Sequence, residues 1–305
     1  AKRINSEIRA TMHVEGNEYY VSASIGIAIF PNEGDDLSTL LRLASSAKDF
    51  VKRQGGNGFQ FSSKEINLQY EERLTLDASL RHGLANNEFV LYYQPKVDLL
   101  TGKVTGAEAL LRWMPNDELI YPDKFLAHAE ETGLIVPLGN WCLQESCRQL
   151  NEWHMNGDLI NLAVNLSAKQ LSDKHFFELV EETIYSSGVN SNFLTFELTE
   201  SFLISDIEEK IKLFARLREL GIKLSIDDFG TGYSSLSYLR RIPLDELKID
   251  RSFIMEVTQN DSSRAIVSTI VYLAKSLNLS TVAEGVELSS EREFLQQLDC
   301  TQFQG

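Results

Sequence analysis

From about residue 88 the chain keeps one beat: a short apolar run ends in a polar or acidic residue, and an amphipathic helix follows. The expected strands are Phe89–Gln94, Val104–Leu110, Leu162–Asn165, Leu194–Leu198, Lys223–Asp227, Glu246–Ile249, Ser280–Glu284 and Thr301–Gln304. One expected helix carries Ile207, Ile211, Phe214, Leu217 and Leu220 and is stopped by Gly221; another carries Val267, Ile270, Val271, Ala274 and Leu277. Short apolar strands alternating with such helices predict an α/β fold built on a parallel sheet. About eight strands over roughly 220 residues favour a TIM-like (β/α)8 barrel over an open doubly wound sheet. No glycine fingerprint of a dinucleotide fold opens the first strand–helix unit, which weakens the open-sheet alternative.

Ahead of this region, residues 1–63 read as a small α/β piece. It has a helix over Arg3–Met12, a strand-like run over Tyr19–Phe30 closed by Pro31–Gly34, and a helix through Leu40, Leu41, Leu43, Ala44 and Ala47. Gly55–Gly58 then turns into a short strand, Phe59–Phe61. Polar residues Ser62–Gln69 lead into a helix carrying Leu76, Leu80 and Leu84. These breaks predict a first domain over 1–63, a linker over 64–72 and a second domain over 73–305.

Charge narrows the partners. With 29 Lys and Arg against 44 Asp and Glu, the net charge of −15 argues against a nucleic-acid polymer or an anionic membrane surface. A small phosphate-bearing ligand stays open, because a metal can supply local positive charge. No apolar run is long enough for a membrane span and no signal peptide opens the chain, although a longer protein could carry an anchor ahead of residue 1. Cys142, Cys147 and Cys300 show neither metal nor disulfide spacing, which fits a reducing cytoplasm. None of the five histidines stands at a strand end beside a carboxylate, so zinc is not expected.

In barrels of this kind the active site lies at the C-terminal ends of the strands. Glu108, Asn165, Glu197, Asp227, Asp228, Lys248 and Glu284 all fall there. Any one of the acids could be a helix N-cap. Six successive junctions offering the same hard-oxygen chemistry are much harder to explain as caps. The adjacent carboxylates of Asp227 and Asp228 repel each other and are costly to desolvate without a cation. Oxygen-only donors suit Mg²⁺ or Mn²⁺, and two such ions about 3.5–4 Å apart are the common arrangement for phosphodiester hydrolysis. Glu200 follows Glu197 by three residues, either as a first-turn glutamate favoured by the helix dipole or as an anchor for the glycine-rich stretch 229–235. Lys248 could be a solvated lysine, but in an acidic mouth it is better placed to orient water or phosphate. Arg112, four residues beyond Glu108, offers a planar fork for a phosphate or a guanine edge, whereas Trp113 reads equally as core or site.

These residues resemble a known family. Glu108-Ala109-Leu110 inside GAEALLRW resembles the signature of EAL domains, the bacterial cyclic-di-GMP phosphodiesterases. YYQP (Tyr92–Pro95), NLSAKQL (Asn165–Leu171), ELTE (Glu197–Glu200), DDFGTGYSSL (Asp227–Leu236), KID (Lys248–Asp250), AEGVE (Ala283–Glu287) and the terminal Gln304-Gly305 follow in family order over residues 73–305. The resemblance implies a TIM-like barrel with one antiparallel strand and hydrolysis of cyclic-di-GMP to linear pGpG. It implies that Glu108, Asn165, Glu197 and Asp227 bind one metal ion, and that Asp227, as a bridge, holds a second with Asp228 and Glu284. Lys248 and Glu284 would position or deprotonate the attacking water. Gln94, Leu110, Arg112 and Gln304 would contact substrate, and Glu200 would hold the DDFGTGYSSL loop. A homodimer through the barrel is also implied. A binding-only receptor, or a regulatory module of a GGDEF–EAL protein, shares the same motifs.

Residues 1–63 resemble the C-terminal part of a GGDEF (diguanylate cyclase) domain through VSASIGIAIFP (Val21–Pro31), LLRLASSAKDFVK (Leu40–Lys52) and GGNGFQF (Gly55–Phe61). GTP is the ligand this implies for such a domain. Two departures stand out in the barrel region. Leu288 replaces the usual threonine, which reads as a packing change. The sequence also ends at Gly305, before the tyrosine-containing strand and final helix of the family, so exposed first and last strands are expected.

Overall fold

The computed structural model describes every residue except 10, 11, 15, 16, 201, 203–206 and 232–238. Contacts divide it into two units, residues 1–80 and 81–305. No described helix is long and apolar enough to cross a membrane.

In the first unit a helix over Lys2–Ile8 precedes an antiparallel pair, β1 (Met12–Val14) and β2 (Asn17–Tyr19). The expected first helix is therefore shorter, and Met12 is extended. Strand β3 (Ile25–Ile27) pairs in parallel with β4 (Phe59–Phe61), while Tyr20–Ser24 lie outside the strands. Between them runs the helix Leu37–Arg53, whose start is set by Asp36: its carboxylate accepts the Thr39 N–H at 2.9 Å. This helix lies so close to β3 that a Cβ at Gly26 would strike the Ala44 carbonyl oxygen, which explains a glycine in mid-strand. The stretch expected as a linker, 64–72, is helical throughout, as part of a single helix Lys64–Ala85.

In the second unit, eight strands form a closed barrel: β5 (Phe89–Asp98), β6 (Val104–Trp113), β7 (Asn161–Asn165), β8 (Leu194–Thr199), β9 (Lys223–Phe229), β10 (Glu246–Ile249), β11 (Ser280–Glu284) and β12 (Gln302–Gln304). Neighbours pair in parallel except β5, which is antiparallel to both β6 and β12. The expected open edge does not exist. Strand β5 continues through Pro95 to Asp98, and its last residues, Val97 and Asp98, pair with Phe303 and Gln302. Strand β12 is in turn parallel to β11, so the ring closes at its shortest strand.

Strand parity decides where the apolar core sits. Leu162, Val164, Leu194, Phe196, Leu198, Leu224, Ile226, Leu247 and Ile249 are buried against the outer helices, including Phe214 and Leu217 of the helix Ile207–Glu219. The alternate residues face inward and many are polar: Lys96, Glu108, Thr195, Glu197, Ser225, Lys248 and Gln304 are all buried. Barrels of this class usually fill their interior with branched apolar side chains. Here charge occupies that space, and it must be balanced within the barrel.

Candidate active site

Lys248 is the hub of the interior. It comes from the middle of β10 and is fully buried. Its ammonium contacts four carboxylates from four other strands: Glu284 Oε1 at 2.6 Å, Glu197 Oε2 at 2.7 Å, Asp227 Oδ1 at 3.0 Å and Glu108 Oε2 at 3.1 Å. Around this hub the Asn165 amide donates to Glu108 Oε1 at 2.6 Å. The Gln304 amide donates to Glu108 Oε2 at 2.8 Å and to Gln94 Oε1 at 2.9 Å. Residues spread over some two hundred positions of sequence thus meet at one level of the barrel.

The adjacent pair Asp227-Asp228 needs a special device, because successive residues of a regular strand point to opposite faces. The device is a β-bulge. Between the pairs Leu247↔Ile226 and Ile249↔Phe229, β9 advances three residues while β10 advances two. Asp228 sits in the left-handed region at φ 54°, a conformation aspartate tolerates better than most residues. Its N–H donates to Asp227 Oδ1 at 3.0 Å. As a result, carboxylate oxygens of Asp227, Asp228 and Glu284 all lie within 4.8 Å of one another.

The turn that follows is held from the side. Glu200 Oε2 accepts the Gly230 N–H at 3.0 Å. Gly230 has φ 102°, and a Cβ there would meet the Phe253 ring at 2.9 Å, so only glycine fits. Residues Gly232–Leu236 of the glycine-rich loop lie outside the described residues. Replacing Glu200 with alanine should cost about 1.5–3 kcal/mol of barrel stability through loss of a charged acceptor. Thermal denaturation checks this; an unchanged midpoint would contradict the anchoring role.

The carboxylates outnumber the cations, and their acidities show it. Burial foremost, with Glu197, Glu284 and Glu108 adding to it and Lys248 opposing, pushes Asp227 up to about 7. Glu284 is also raised by burial, which outweighs its Lys248 contact. Asp228 is raised by burial and then by the neighbouring charge of Asp250. Burial would raise Glu197 too, but Lys248 and Lys96 together hold it below the ordinary carboxylate range. Burial would lower Lys248, yet its carboxylate partners, Glu197 first, hold it well above the ordinary lysine value. Negative charge in excess, from hard oxygen donors, is the environment a divalent cation relieves.

A pH dependence follows. A carboxyl whose folded-state pKa exceeds its unfolded value of about 4 binds its proton more tightly when native. The protein kept metal-free should therefore lose stability as pH rises from about 4 towards about 7. In chelator, Asp227→Asn should melt higher than the parent at pH 8, with the difference shrinking as pH falls to 5. An equal difference at both pH values would contradict the raised pKa of Asp227.

Beside Asp227 and Asp228, which form part of its wall, Leu110, Pro122, Leu126 and Asn165 line a cleft of about 350 Å³. Arg112 stands on the same strand face as Glu108 and Leu110. Its guanidinium carbon lies 5.5 Å from the Tyr92 ring centre and 5.1 Å from that of Tyr121, while Nη1 donates to the Leu111 carbonyl. Its buried Nε has no hydrogen-bond partner among the described residues. Trp113 belongs to the core, packed against Phe89 and Phe125. Leu288 is exposed rather than packed, and the Glu291 carboxylate takes the Glu287 and Leu288 N–H groups at 2.9 Å.

Three participants escaped the sequence reading. Lys96 is buried and touches Glu197 at 2.7 Å, and period-two spacing from Gln94 was the signal that could have found it. Tyr121 flanks Arg112 from a turn with no motif around it. Asp250, in the KID motif, lies beside Asp228 and caps the short helix after β10.

A closed barrel with charge in its bore and carboxylates gathered at its strand ends places the protein among TIM-like barrels with a cation-seeking acidic mouth. The comparisons with known proteins then fix the family. The model described as EAL domain matches residues 77–305. The chain belongs to the EAL domain family. Over its full length it is 42% identical to the bifunctional diguanylate cyclase/cyclic di-GMP phosphodiesterase MucR of Pseudomonas aeruginosa, covering 45% of that protein. It is 38% identical, again over its full length, to the cyclic di-GMP phosphodiesterase PdeR of Escherichia coli, covering 46%. The chain thus spans less than half the length of these curated relatives. Among solved structures, the PaMucR phosphodiesterase in complex with c-di-GMP matches with a TM-score of 0.73 and 45% identity, over 76% of this chain and 94% of that one.

Proposed function

We propose that this chain is a divalent-cation-dependent phosphodiesterase that hydrolyses cyclic-di-GMP to linear pGpG. The observation that carries this reading is the convergence of Glu108, Glu197, Asp227 and Glu284 on the single ammonium of Lys248. Glu108, Asn165, Glu197 and Asp227 would hold one Mg²⁺ or Mn²⁺ ion, and Asp227, Asp228 and Glu284 a second. When bound, such ions supply Lewis-acid charge to an in-line displacement at phosphorus.

The protein's own groups do the rest. Glu284, with its raised proton affinity and its contact to Lys248, orients the attacking water and takes its proton. Lys248 holds that carboxylate by direct contact and would donate to the same water. Gln304, whose amide is committed to Glu108 and Gln94, keeps a buried Oε1 with no partner among the described residues, the acceptor it would offer to substrate. Arg112, stacked on Tyr92 and Tyr121, presents its fork to a phosphate or guanine edge, with Leu110 beneath the base.

Residues 1–63 fit the C-terminal part of a GGDEF-like domain joined through 64–72, which adds GTP as a ligand and pairing through the barrel as the assembly of the longer protein. The closely packed Gly26 and the Gly55–Gly58 turn into β4 support this assignment.

Purified protein given Mg²⁺ and cyclic-di-GMP should release pGpG, followed by chromatography. Tight binding of the nucleotide with no product would replace the enzyme by a receptor.

A further inference from the structure

Lys96 is the second charge inside the barrel. It is 4% exposed and projects from β5 into the bore, where its ammonium donates to Glu197 Oε1 at 2.7 Å and to Glu246 Oε1 at 2.9 Å. Lys248 takes the other oxygen of the same carboxylate, Oε2, at 2.7 Å. Each oxygen of Glu197 therefore has its own ammonium, and the side chain is 0% exposed.

The two oxygens face different futures. Oε2 points to the side where Glu108, Asp227 and Glu284 surround Lys248, so a cation arriving at the mouth can displace one ammonium contact there. Oε1 points the other way, towards Glu246 and a polar cavity of about 230 Å³ at the N-terminal end of the barrel, lined also by Thr195 and Asn161. Lys96 is tied between two carboxylates, with Glu197 and Glu246 both within hydrogen-bond distance of its ammonium. It has no reason to release Oε1 when the mouth is filled.

We infer that Lys96 is a positioning residue that caps one oxygen of Glu197 and restricts it to single-oxygen ligation, biasing the mouth towards small octahedral cations and against Ca²⁺. The inference rests on the proposed role of Glu197 as a metal ligand. Its chemistry is coordination number: Ca²⁺ takes six to eight oxygens and commonly engages a carboxylate through both, whereas Mg²⁺ demands near-octahedral geometry with single-oxygen ligands. Groups that orient a ligand from behind commonly change metal affinity by about 10–100-fold when removed. Deleting the Lys96 charge would also strengthen attraction for any divalent ion. That contribution is nearly common to Mg²⁺ and Ca²⁺, so the ratio of their affinities isolates the geometric effect.

The test is calorimetric titration of the metal-free full chain with Mg²⁺ and with Ca²⁺, for the parent, Lys96→Met, the double variant Lys96→Met/Glu246→Gln, and Glu197→Gln. The double variant removes the half-buried carboxylate that Lys96→Met alone would leave without its ammonium. Both Lys96 variants should shift the Ca²⁺-to-Mg²⁺ affinity ratio towards Ca²⁺ by about tenfold, and Glu197→Gln should weaken both ions. A ratio within twofold of the parent, in a variant whose melting curve shows it folded, overturns the inference alone. Unchanged binding in Glu197→Gln overturns the ligand role of Glu197 and the inference with it. A second readout needs no Lys96 variant. The infrared difference between parent and Glu197→Gln in Ca²⁺ should show the carboxylate splitting of single-oxygen ligation, and a two-oxygen pattern overturns the inference.

Discussion

Asp227→Ala should lower cyclic-di-GMP hydrolysis by at least about a thousandfold and raise the metal concentration needed for half-activation, because the residue serves both proposed ion positions. Asp227 is central for geometric reasons. Its Oδ1 meets Lys248 at 3.0 Å and accepts the Asp228 N–H at 3.0 Å, so it shapes the bulge as well as the charge balance. It is also the carboxyl with its pKa pushed up to about 7, which means that a cation displaces a proton there near neutral pH. Steady-state kinetics over a Mg²⁺ titration measure both effects. Loss of rate with an unaltered metal requirement would show that Asp227 acts on substrate and not as a ligand.

Lys248→Met should damage the protein in two separable ways. Removing the ammonium leaves Glu108, Glu197, Asp227 and Glu284 facing one another in the bore, and breaking a buried ion network of this kind costs about 3–5 kcal/mol. For a unit of this size that corresponds to a fall in melting temperature of roughly 6–20 °C in chelator. Mg²⁺ should restore much of that stability, because a divalent ion replaces the missing charge. It should not restore turnover, which should stay about 10²–10⁴-fold low without the group that holds Glu284 and the water. Full recovery of activity with metal would reduce Lys248 to a charge balancer. A melting temperature unchanged in chelator would contradict the hub geometry.

The strand ends were the legible part of this molecule. Of the expected cluster, Asn165, Glu197, Asp227, Lys248 and Glu284 stand at or near strand ends that the barrel brings together, whereas Glu108 joins them from the middle of β6, which runs on to Trp113. Strand direction was not legible from periodicity. An alternating pattern gives a face but not an orientation, and the antiparallel setting of β5 entered only through the family resemblance. Ring closure was misjudged because β12 is three residues long and β5 runs past a proline to meet it. The bulge that aims Asp228 into the mouth leaves no trace in composition; the register shift against β10 and the positive φ of Asp228 reveal it. Lys96 was hidden for an ordinary reason: it lies two residues past the expected strand end at Gln94, and its two carboxylate partners are 101 and 150 residues away. In the first unit, the apolar run Tyr19–Phe30 overstated the strand, since only Ile25–Ile27 finds a described partner within it beyond Tyr19.

The most direct measurement of the account is turnover of cyclic-di-GMP by protein stripped with a chelator and then titrated with Mg²⁺ or Mn²⁺, with the product identified by mass. The expected result is no turnover in chelator, recovery with either ion, and linear pGpG as product. Hydrolysis that persists in chelator, or nucleotide that is bound but remains intact at saturating metal, would contradict it.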